Sequence, residues 1–141
     1  MTVTFFGHSQ IAGEKIPFIE NSLRNHIEVL ICQGAEEFLL GGYGKFDYIC
    51  AKILTEFKNK YSEINRVLVI PYLDRKYDNR LYDSSWYPPL ETVPKRFAIS
   101  RRNEYMVNKA DTVVCYIDHS WGGASKSVEY AKRKNKSIIF I

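Results

Sequence analysis

The sequence predicts a single α/β domain, a Rossmann-like three-layer arrangement with a mainly five-stranded parallel sheet of strand order 3-2-1-4-5. Short apolar runs alternate with longer amphipathic segments along the whole chain. Two of these runs lead into glycine-rich turns that precede a helical segment, a pattern typical of connections beside ligands. The length of 141 residues and the hydrophobic content of 45% suit one domain with its own core, so residues 1–141 are assigned to a single domain.

The first half of the chain alternates three predicted strands with two predicted helices. The third strand is almost wholly apolar, as expected for a strand that is covered on both faces. Pro17 suits the first turn of the first helix, and Gly34 suits its end. In chain order, the predicted elements are strand 2–6, helix 17–33, strand 37–40, helix 46–62 and strand 66–70.

Residues 71–95 interrupt this alternation. Several prolines prevent a long helix there. A connection of this length inside a compact domain is usually functional or disordered, and the many aromatic side chains argue against disorder. Two interpretations stay open, a lid over a ligand site and a structural cover over a sheet edge. The aromatic residues are Tyr72, Tyr77, Tyr82, Trp86 and Tyr87.

The second half of the chain contains the turn around which the domain is organised. We predict a helix at 97–109, a strand at 112–117, a glycine turn at 118–123, a helix to 133 and a strand at 137–141. The first N–H groups of a helix lack internal partners and carry the positive end of its dipole. The turn is therefore a candidate anion site, commonly for phosphate. A plain connection that needs glycine only for its geometry is the alternative.

Ligand contacts are expected at one edge of the predicted sheet. The carboxyl ends of parallel strands meet there, and ligands bind where the strand order reverses. Three loops fall at such strand ends, at 7–9, 41–44 and 118–123. The expected ligand-binding residues are Gly7, His8, Ser9, Gly41, Gly42, Tyr43, Gly44, Asp118, Gly122, Gly123, Ala124, Ser125 and Lys126.

Other polar residues near this edge carry weaker signals. Asp47, just after the first glycine turn, suits a ligand contact and equally a favourable charge at a helix N-terminus. His8 and His119 are expected to make polar contacts rather than to act as catalysts. No group of residues has metal-ligand spacing, so neither a metal nor a cofactor is expected. Cys32, Cys50 and Cys115 are expected to be reduced thiols in the core.

Composition and charge narrow the expected partners. The net charge of +4 tolerates anionic ligands but is not by itself typical of nucleic-acid binding. The basic run at 132–136 lies near a predicted helix end, where cations suit the dipole, so nucleic acid is not the expected partner. No apolar run is long enough to span a bilayer, and no signal peptide is apparent. We therefore expect a cytoplasmic protein without membrane contact.

A family resemblance rests on the second half of the chain. An Arg-Asn pair with a nearby methionine precedes the fourth predicted strand, which leads to a Gly-Gly turn and a helix that contains Tyr-Ala. With these motifs, and along essentially its whole length, the sequence resembles the SLOG superfamily of Rossmann-like nucleotide-binding proteins, in particular its small bacterial and phage members. The superfamily includes the Lonely Guy phosphoribohydrolases and DNA-processing protein A. The motif residues are Arg102, Asn103, Met106, Asp111, Gly122, Gly123, Tyr130 and Ala131.

The resemblance to the Lonely Guy enzymes implies two catalytic residues, Arg102 and Glu129. In that family the matching arginine and glutamate serve hydrolysis of the N-glycosidic bond of a nucleoside monophosphate. This sequence departs from the family motif at Trp121, Ser125 and Lys126, where the family has proline, glycine and threonine. Without the resemblance, Glu129 fits a surface helical residue that pairs with a lysine three positions away.

These observations leave two main functions open. The first is binding of a nucleotide or nucleotide-derived ligand at the carboxyl edge of the sheet, as a sensor or sequestering module. The alternative is a phosphoribohydrolase that uses Glu129 and Arg102, and a weaker alternative is nucleic-acid binding through the basic C-terminal region. The altered turn residues Ser125 and Lys126 favour binding, whereas Glu129 favours hydrolysis. A homodimer is expected from the resemblance alone.

Overall fold

A computed structural model describes residues 1–141 as one six-stranded parallel sheet flanked by four α-helices. The strands are β1 (Thr2–Gly7), β2 (Glu37–Leu40), β3 (Asn65–Val69), β4 (Ser84–Trp86), β5 (Thr112–Tyr116) and β6 (Ser137–Phe140). The helices are α1 (Ile16–Cys32), α2 (Lys45–Lys60), α3 (Ala98–Lys109) and α4 (Gly123–Arg133), with short 3₁₀ turns before α1 and α3.

The strand order β4-β3-β2-β1-β5-β6 confirms the predicted Rossmann-like layout and adds one strand to it. The five predicted strands pair in the predicted order. The sixth, β4, lies within 71–95, and its residues Ser84–Trp86 pair with β3 at the sheet edge. Three residues near the middle of that segment are therefore part of the sheet.

Alternate side chains of the strands point to opposite faces of the sheet and create two cores. Phe5 packs into the larger core with buried residues of α1 and α2, whereas Phe6 packs into the smaller core with Met106 of α3 and Ala131 of α4. Two helices thus cover each face. This arrangement is the expected three-layer domain.

The apolar stripe of α1 illustrates how the pattern fixes the packing. Ile19, Leu23, Ile27 and Leu30 recur at helical spacing, and all four are buried. Pro17 lies in the first turn of the helix, where a missing N–H costs nothing. Gly34, at φ 104°, follows the helix end as predicted.

An ion pair that joins β3 to β4 explains why the edge strand forms. The guanidinium of Arg66, only 5% exposed, donates from Nη2 and Nε to the two carboxylate oxygens of Asp83 at 2.9 and 3.0 Å. Arg66 Nη1 also donates to the hydroxyl of Thr55 and the carbonyl of Arg80. These contacts hold the residues just before β4 against β3.

The cysteines and the helices can be compared with two further expectations from the sequence. Cys50 and Cys115 are buried free thiols, but Cys32 is exposed at the end of α1, so the expectation of three core cysteines was wrong for that residue. None of the four α-helices combines the length and the apolar character needed to cross a membrane.

The chain reverses its direction of travel across the sheet between β1 and β5. From β1 it builds β2, β3 and β4 on one side, and then crosses back to place β5 on the other side of β1. A crevice forms at the carboxyl ends of strands at such a reversal. The β2–α2 turn and the β5–α4 turn flank it on opposite sides of β1.

Candidate functional site

A cavity of about 680 Å³, here called the rim cavity, lies at this reversal beyond the carboxyl ends of β1, β2 and β5. Its size falls within the usual range of small-molecule sites. The end of β1, both glycine turns and one face of α3 contribute to its walls. The residues of the predicted site that line it are Gly7, His8, Ser9, Gly41, Tyr43, Arg102, Gly122, Gly123 and Ala124.

The β5–α4 turn presents unpaired backbone donors to the rim cavity. Gly122 caps α4 at φ 97°, a conformation that favours glycine, and no side chain caps this helix. The N–H groups of Gly123, Ala124 and Ser125 have no protein acceptor, and the first amide bonded within the helix is that of Lys126. Because Gly123 and Ala124 line the cavity, an anion there meets free donors and the positive end of the helix dipole.

The β2–α2 turn has a similar backbone but a different role. Gly44 caps α2 at φ 91°. However, the N–H groups of Lys45 and Phe46 donate to the carbonyls of Ser9 and His8 at 2.9 and 3.3 Å. This turn therefore ties the loop after β1 to α2, and it offers fewer free donors than α4. Gly42 and Gly44 line a separate cleft beside residues 75–82.

Three stacked aromatic rings form one wall of the rim cavity. The rings of His8 and His119 stack with centroids 3.6 Å apart, and the ring of His119 stacks on Trp121 at 3.9 Å. His8 is buried, whereas Trp121 is 69% exposed at the outer end of the stack. The outer indole face is free to receive a further flat ring, such as a nucleobase.

Hydrogen bonds fix the inner end of this stack. The backbone N–H of Asp118 donates to His8 Nε2 at 2.9 Å, and this nitrogen also lies 3.1 Å from Asp118 Oδ1. Burial lowers the pKa of His8, the nearby His119 lowers it further, and Asp118 opposes both effects. The neutral imidazole, with its proton on Nδ1, suits the bond from the Asp118 amide. Asp118 thus positions the stack, and it does not line the rim cavity.

The same three residues are the one cluster with the composition of a metal site. Ligand atoms of His8, Asp118 and His119 lie within 4.8 Å of one another. The two imidazole planes are nearly parallel, at 17°, so their in-plane lone pairs run side by side rather than towards one point. His8 Nε2 already accepts the Asp118 amide proton. The geometry therefore fits a stacking wall and does not fit a metal centre.

Opposite this wall, Asp47 and Arg102 approach each other beside Gly41. A Cβ on Gly41 would lie 3.1 Å from Asp47 Oδ2 and 3.3 Å from Arg102 Nη2. Arg102 is 4% exposed and donates from Nη1 to the carbonyls of Gly41 and Val69 and from Nε to the side chain of Asn103. Its Nη2 has no protein acceptor within hydrogen-bond distance, and the residue lines the cavity.

Burial shifts the pKa of both groups. Desolvation raises the pKa of Asp47 to about 6, although the amides of Tyr43 and Gly42 and the charge of Arg102 oppose this rise. Desolvation also lowers the pKa of Arg102 to about 10, against the attraction of Asp47. Perturbed pKa values of this kind are typical of functional sites. A purely structural ion pair would normally form direct hydrogen bonds, and these two side chains form none with each other.

The structure does not bring Glu129 to Arg102. The Glu129 side chain is 62% exposed and forms an ion pair with Lys132 at 3.1 Å. It lines a second groove of about 540 Å³ between α3 and α4, here called the α3–α4 groove, together with Ser125 and Lys126. The Ser125 hydroxyl donates to the carbonyl of His119 and so braces the turn.

Several residues that line the rim cavity were not predicted as ligand contacts. Asn103 and Met106 belong to the motif of the resemblance, and together with Ile99 they lie at helical spacing on α3 with Arg102, which places all four on a shared face. Arg75 comes from the irregular segment before β4, and its position at the cavity depends on the folded chain. Asp47, which the sequence left open between two roles, is the only carboxylate that lines the cavity.

Comparisons with known proteins agree with this architecture. No protein-family profile matches the chain. The UPF0398 protein BH1768 of Halalkalibacterium halodurans is 25% identical over 134 residues, which are 86% of this chain and 71% of that protein. Its identity is too low to place the chain in its family.

Solved structures show the same fold. DNA processing protein A of Helicobacter pylori, which binds single-stranded DNA, superposes with a TM-score of 0.67 at 17% identity over 99% of this chain. The chain spans 64% of that protein. The molybdenum cofactor carrier protein of Chlamydomonas reinhardtii gives a TM-score of 0.63 at 14% identity, with 99% of this chain and 75% of that protein covered. Protein TM1055 gives 0.63 at 15% identity, with coverages of 97% and 71%. This chain therefore has the SLOG-type Rossmann-like fold that its sequence resembles.

Proposed function

We propose that this protein binds a nucleotide or a nucleotide-derived ligand in the rim cavity and acts as a sensor or sequestering module for it. The observation that carries the proposal is the pairing of two features in one turn. Gly123 and Ala124 present free N–H groups at the start of α4, and Trp121, two residues earlier, presents an open indole face. Amides at a helix N-terminus bind phosphate, and an open indole stacks on a base.

Positive charge near the cavity supports the same ligand class. Arg102, whose Nη2 has no protein acceptor, and Arg75 both line it. An anionic ligand is therefore attracted into the cavity by two cations as well as by the amides of α4. Among fold neighbours, one carries the molybdenum cofactor and one binds single-stranded DNA, so this fold accommodates ligands of both kinds.

Tryptophan fluorescence provides the test. The chain has two tryptophans, Trp86 at the sheet edge and Trp121 at the cavity, so Trp86→Phe leaves Trp121 as the only indole. We expect at least one of the four common ribonucleoside monophosphates to change the emission of this variant in a saturable way. Trp121→Phe, which keeps Trp86, is the matched control and should show no such change. If no monophosphate changes the emission of Trp86→Phe or produces heat in calorimetry with the wild type, the proposal is wrong.

Single-stranded nucleic acid is a second candidate, favoured by one observation. The α3–α4 groove continues from the rim cavity through Ile99, Asn103 and Gly123, and Arg96, Lys126 and Arg133 line it. A strand with one nucleotide in the cavity would find cations along this groove. An oligonucleotide that binds much more tightly than a mononucleotide, with a steep loss of affinity in salt, would favour this candidate. Equal affinities would favour the mononucleotide.

A further inference from the structure

We infer that Asp47 recognises the ribose of the bound nucleotide by accepting hydrogen bonds from its 2′ and 3′ hydroxyl groups. The inference deepens the proposed function and rests on it. It makes the protein selective for ribonucleotides over deoxyribonucleotides, and it assigns that selectivity to a carboxylate that lies outside the motifs of the resemblance.

Placement limits which part of a nucleotide can reach Asp47. The free amides of Gly123 and Ala124 and the open ring of Trp121 all belong to the β5–α4 turn, on one side of β1. Asp47 lies in the first turn of α2, on the other side of β1. A nucleotide whose phosphate and base both bind the β5–α4 side turns the edge of the sugar that joins them towards α2.

Charge excludes the phosphate from this position. Asp47 is the only carboxylate among the residues that line the rim cavity, and a carboxylate repels a phosphate. An ionised carboxylate is an acceptor, so it selects a part of the ligand that carries donors. With the base held on Trp121, the vicinal hydroxyls of the ribose are the donors that remain.

Asp47 also has acceptor capacity that the protein leaves unused. A carboxylate offers about four acceptor positions. The Tyr43 amide donates to Oδ2 at 3.2 Å, and the Gly42 amide lies close to the carboxylate. Arg102 is near enough to attract Asp47 but does not form a salt bridge with it. Two hydroxyl donors would fill the remaining positions, and a carboxylate that recognises a ribose hydroxyl is common in Rossmann-like sites.

The absent side chain of Gly41 keeps this part of the cavity open. A Cβ there would lie between the two charged groups, at 3.1 Å from Asp47 and 3.3 Å from Arg102. Without it, the carboxylate and Arg102 Nη2 face the same space. A ribose hydroxyl can then donate a hydrogen bond to the Asp47 carboxylate while its oxygen accepts one from Arg102 Nη2. A diol therefore suits both the acceptor and the donor of this pair.

The experiment compares each ribonucleoside monophosphate with its 2′-deoxy counterpart by calorimetry. We expect the wild type to bind the best ribonucleotide about tenfold to a hundredfold more tightly than its deoxy form, the ratio expected for one hydrogen bond to a charged group. Asp47→Asn keeps the shape and one acceptor oxygen but loses the charge. It should reduce the ratio to below about threefold, and the deoxy form, which keeps its 3′ hydroxyl, should lose less affinity than the ribose form does.

Two controls separate the inference from its premise. Asp74→Asn removes an exposed carboxylate that lines none of the grooves described above, so it should keep the wild-type ratio. Thermal unfolding of each variant confirms that it is folded. Equal affinity of the wild type for both sugars, or an Asp47→Asn variant that keeps the full ratio, would overturn the inference and leave the proposed function standing. A wild type that binds neither sugar form would overturn the proposed function and this inference with it.

Discussion

Asp47 and Arg102 both border the space that a Cβ on Gly41 would occupy, yet they form no salt bridge; Arg102 is buried and Asp47 is half-buried. A buried pair that serves stability alone would close to direct hydrogen bonds, because separated buried charges are costly. Here Arg102 donates from Nη1 to the carbonyls of Gly41 and Val69 and from Nε to the side chain of Asn103. Asp47 accepts from the backbone amide of Tyr43. The absence of a direct contact between Asp47 and Arg102 therefore costs stability, and it leaves both groups able to contact a ligand.

Asp47→Asn should stabilise the free protein at neutral pH. Burial raises the pKa of Asp47 from its ordinary value of 3.8 to about 6, so the folded state holds this proton more tightly than the unfolded state does. Ionisation of Asp47 then opposes folding increasingly as the pH rises from about 4 to about 6, and the cost is constant above that range. Removing the charge should add about 1 to 3 kcal/mol to the free energy of unfolding at pH 7.5.

Urea unfolding at several pH values measures this difference. The gain of Asp47→Asn over the wild type should shrink as the pH falls below 6 and be nearly absent at pH 3, where the wild-type carboxyl is mostly protonated in both states. A variant that is less stable than the wild type at pH 7.5 would show that Asp47 is structural.

Gly123→Val should weaken nucleotide binding and leave the fold intact. Gly123 is the first residue of α4, no atom lies within 4 Å of a Cβ built there, and its backbone is not left-handed. The valine side chain therefore fits the free protein but projects beside the amides that receive the phosphate. Loss of one or two hydrogen bonds to a charged group predicts at least about a tenfold fall in affinity by calorimetry.

Gly13→Val is the matched control for that variant. Gly13 also begins a helical turn, also has no atom within 4 Å of an added Cβ, and does not line the rim cavity. It should bind nucleotides as the wild type does. If Gly123→Val is folded and keeps its nucleotide affinity, the phosphate position is wrong.

Asp83→Asn should destabilise the protein and weaken its response to acid. The hydrogen bonds from Arg66 lower the pKa of Asp83 to about 2, below its ordinary 3.8, so this pair stabilises the fold above about pH 4 and loses its effect as the pH falls to about 2. Removal of the carboxylate also leaves the buried Arg66 without its partner. We expect a loss of about 2 to 4 kcal/mol at pH 7.

Thermal or urea unfolding between pH 2 and pH 7 tests this. The wild type should lose stability below pH 4 more steeply than Asp83→Asn does. Asp78→Asn is the control, because its partner Arg80 is an exposed arginine, and it should unfold as the wild type does. A similar effect in both variants would show that the Arg66 pair does not hold the edge strand.

Ligand should protect residues 72–80, and not β4, from proteolysis. The segment before β4 is mostly exposed, and Arg75 both lines the rim cavity and donates to the Gly42 carbonyl at 3.4 Å. Trypsin should cut after Arg75 and Lys76 in the free protein and more slowly with a saturating nucleotide. Cleavage after Lys134, at the end of α4 away from the cavity, serves as the internal reference. Equal rates with and without nucleotide would show that this segment is independent of the ligand.

The sequence predicted those parts of the site that depend on local structure. Gly44 and Gly122 were placed correctly at the starts of helices, because a glycine turn between a strand and a helix is a short-range pattern. It could not distinguish the two turns. Only the folded chain shows that Ser9 and His8 take the amides after Gly44, whereas those after Gly122 stay free.

The features that the sequence did not predict depend on long-range contacts. Strand β4 begins with two serines and is three residues long, so it carries no apolar alternation, and the Arg66–Asp83 pair holds it in place. The convergence of Asp47 and Arg102 likewise joins two helices that are far apart in the chain. The exposure of Glu129, in contrast, could have been predicted from the sequence. Ser125, Val128 and Ala131 recur at a spacing of three and form the buried face of α4, and Glu129 lies outside this face.

Glu129→Gln should leave both nucleotide affinity and stability unchanged, and the wild type should release no free base from a nucleoside monophosphate. Hydrolysis of the N-glycosidic bond needs a carboxylate beside the anomeric carbon, where positive charge develops. Glu129 instead points into the α3–α4 groove and pairs with Lys132. Loss of an exposed helical pair has little effect on stability.

Chromatography of a panel of monophosphates after incubation with the protein decides between a binding module and a hydrolase. Binding without base release is the expected result. Base release by the wild type that falls about a hundredfold or more in Glu129→Gln would show that Glu129 reaches the sugar once the ligand is bound, and would establish the hydrolase instead. Base release that persists in Glu129→Gln but is lost in Asp47→Asn would place the reaction on the only carboxylate that lines the rim cavity. Lys126→Gln, which changes another residue of the α3–α4 groove, controls for effects on that groove alone.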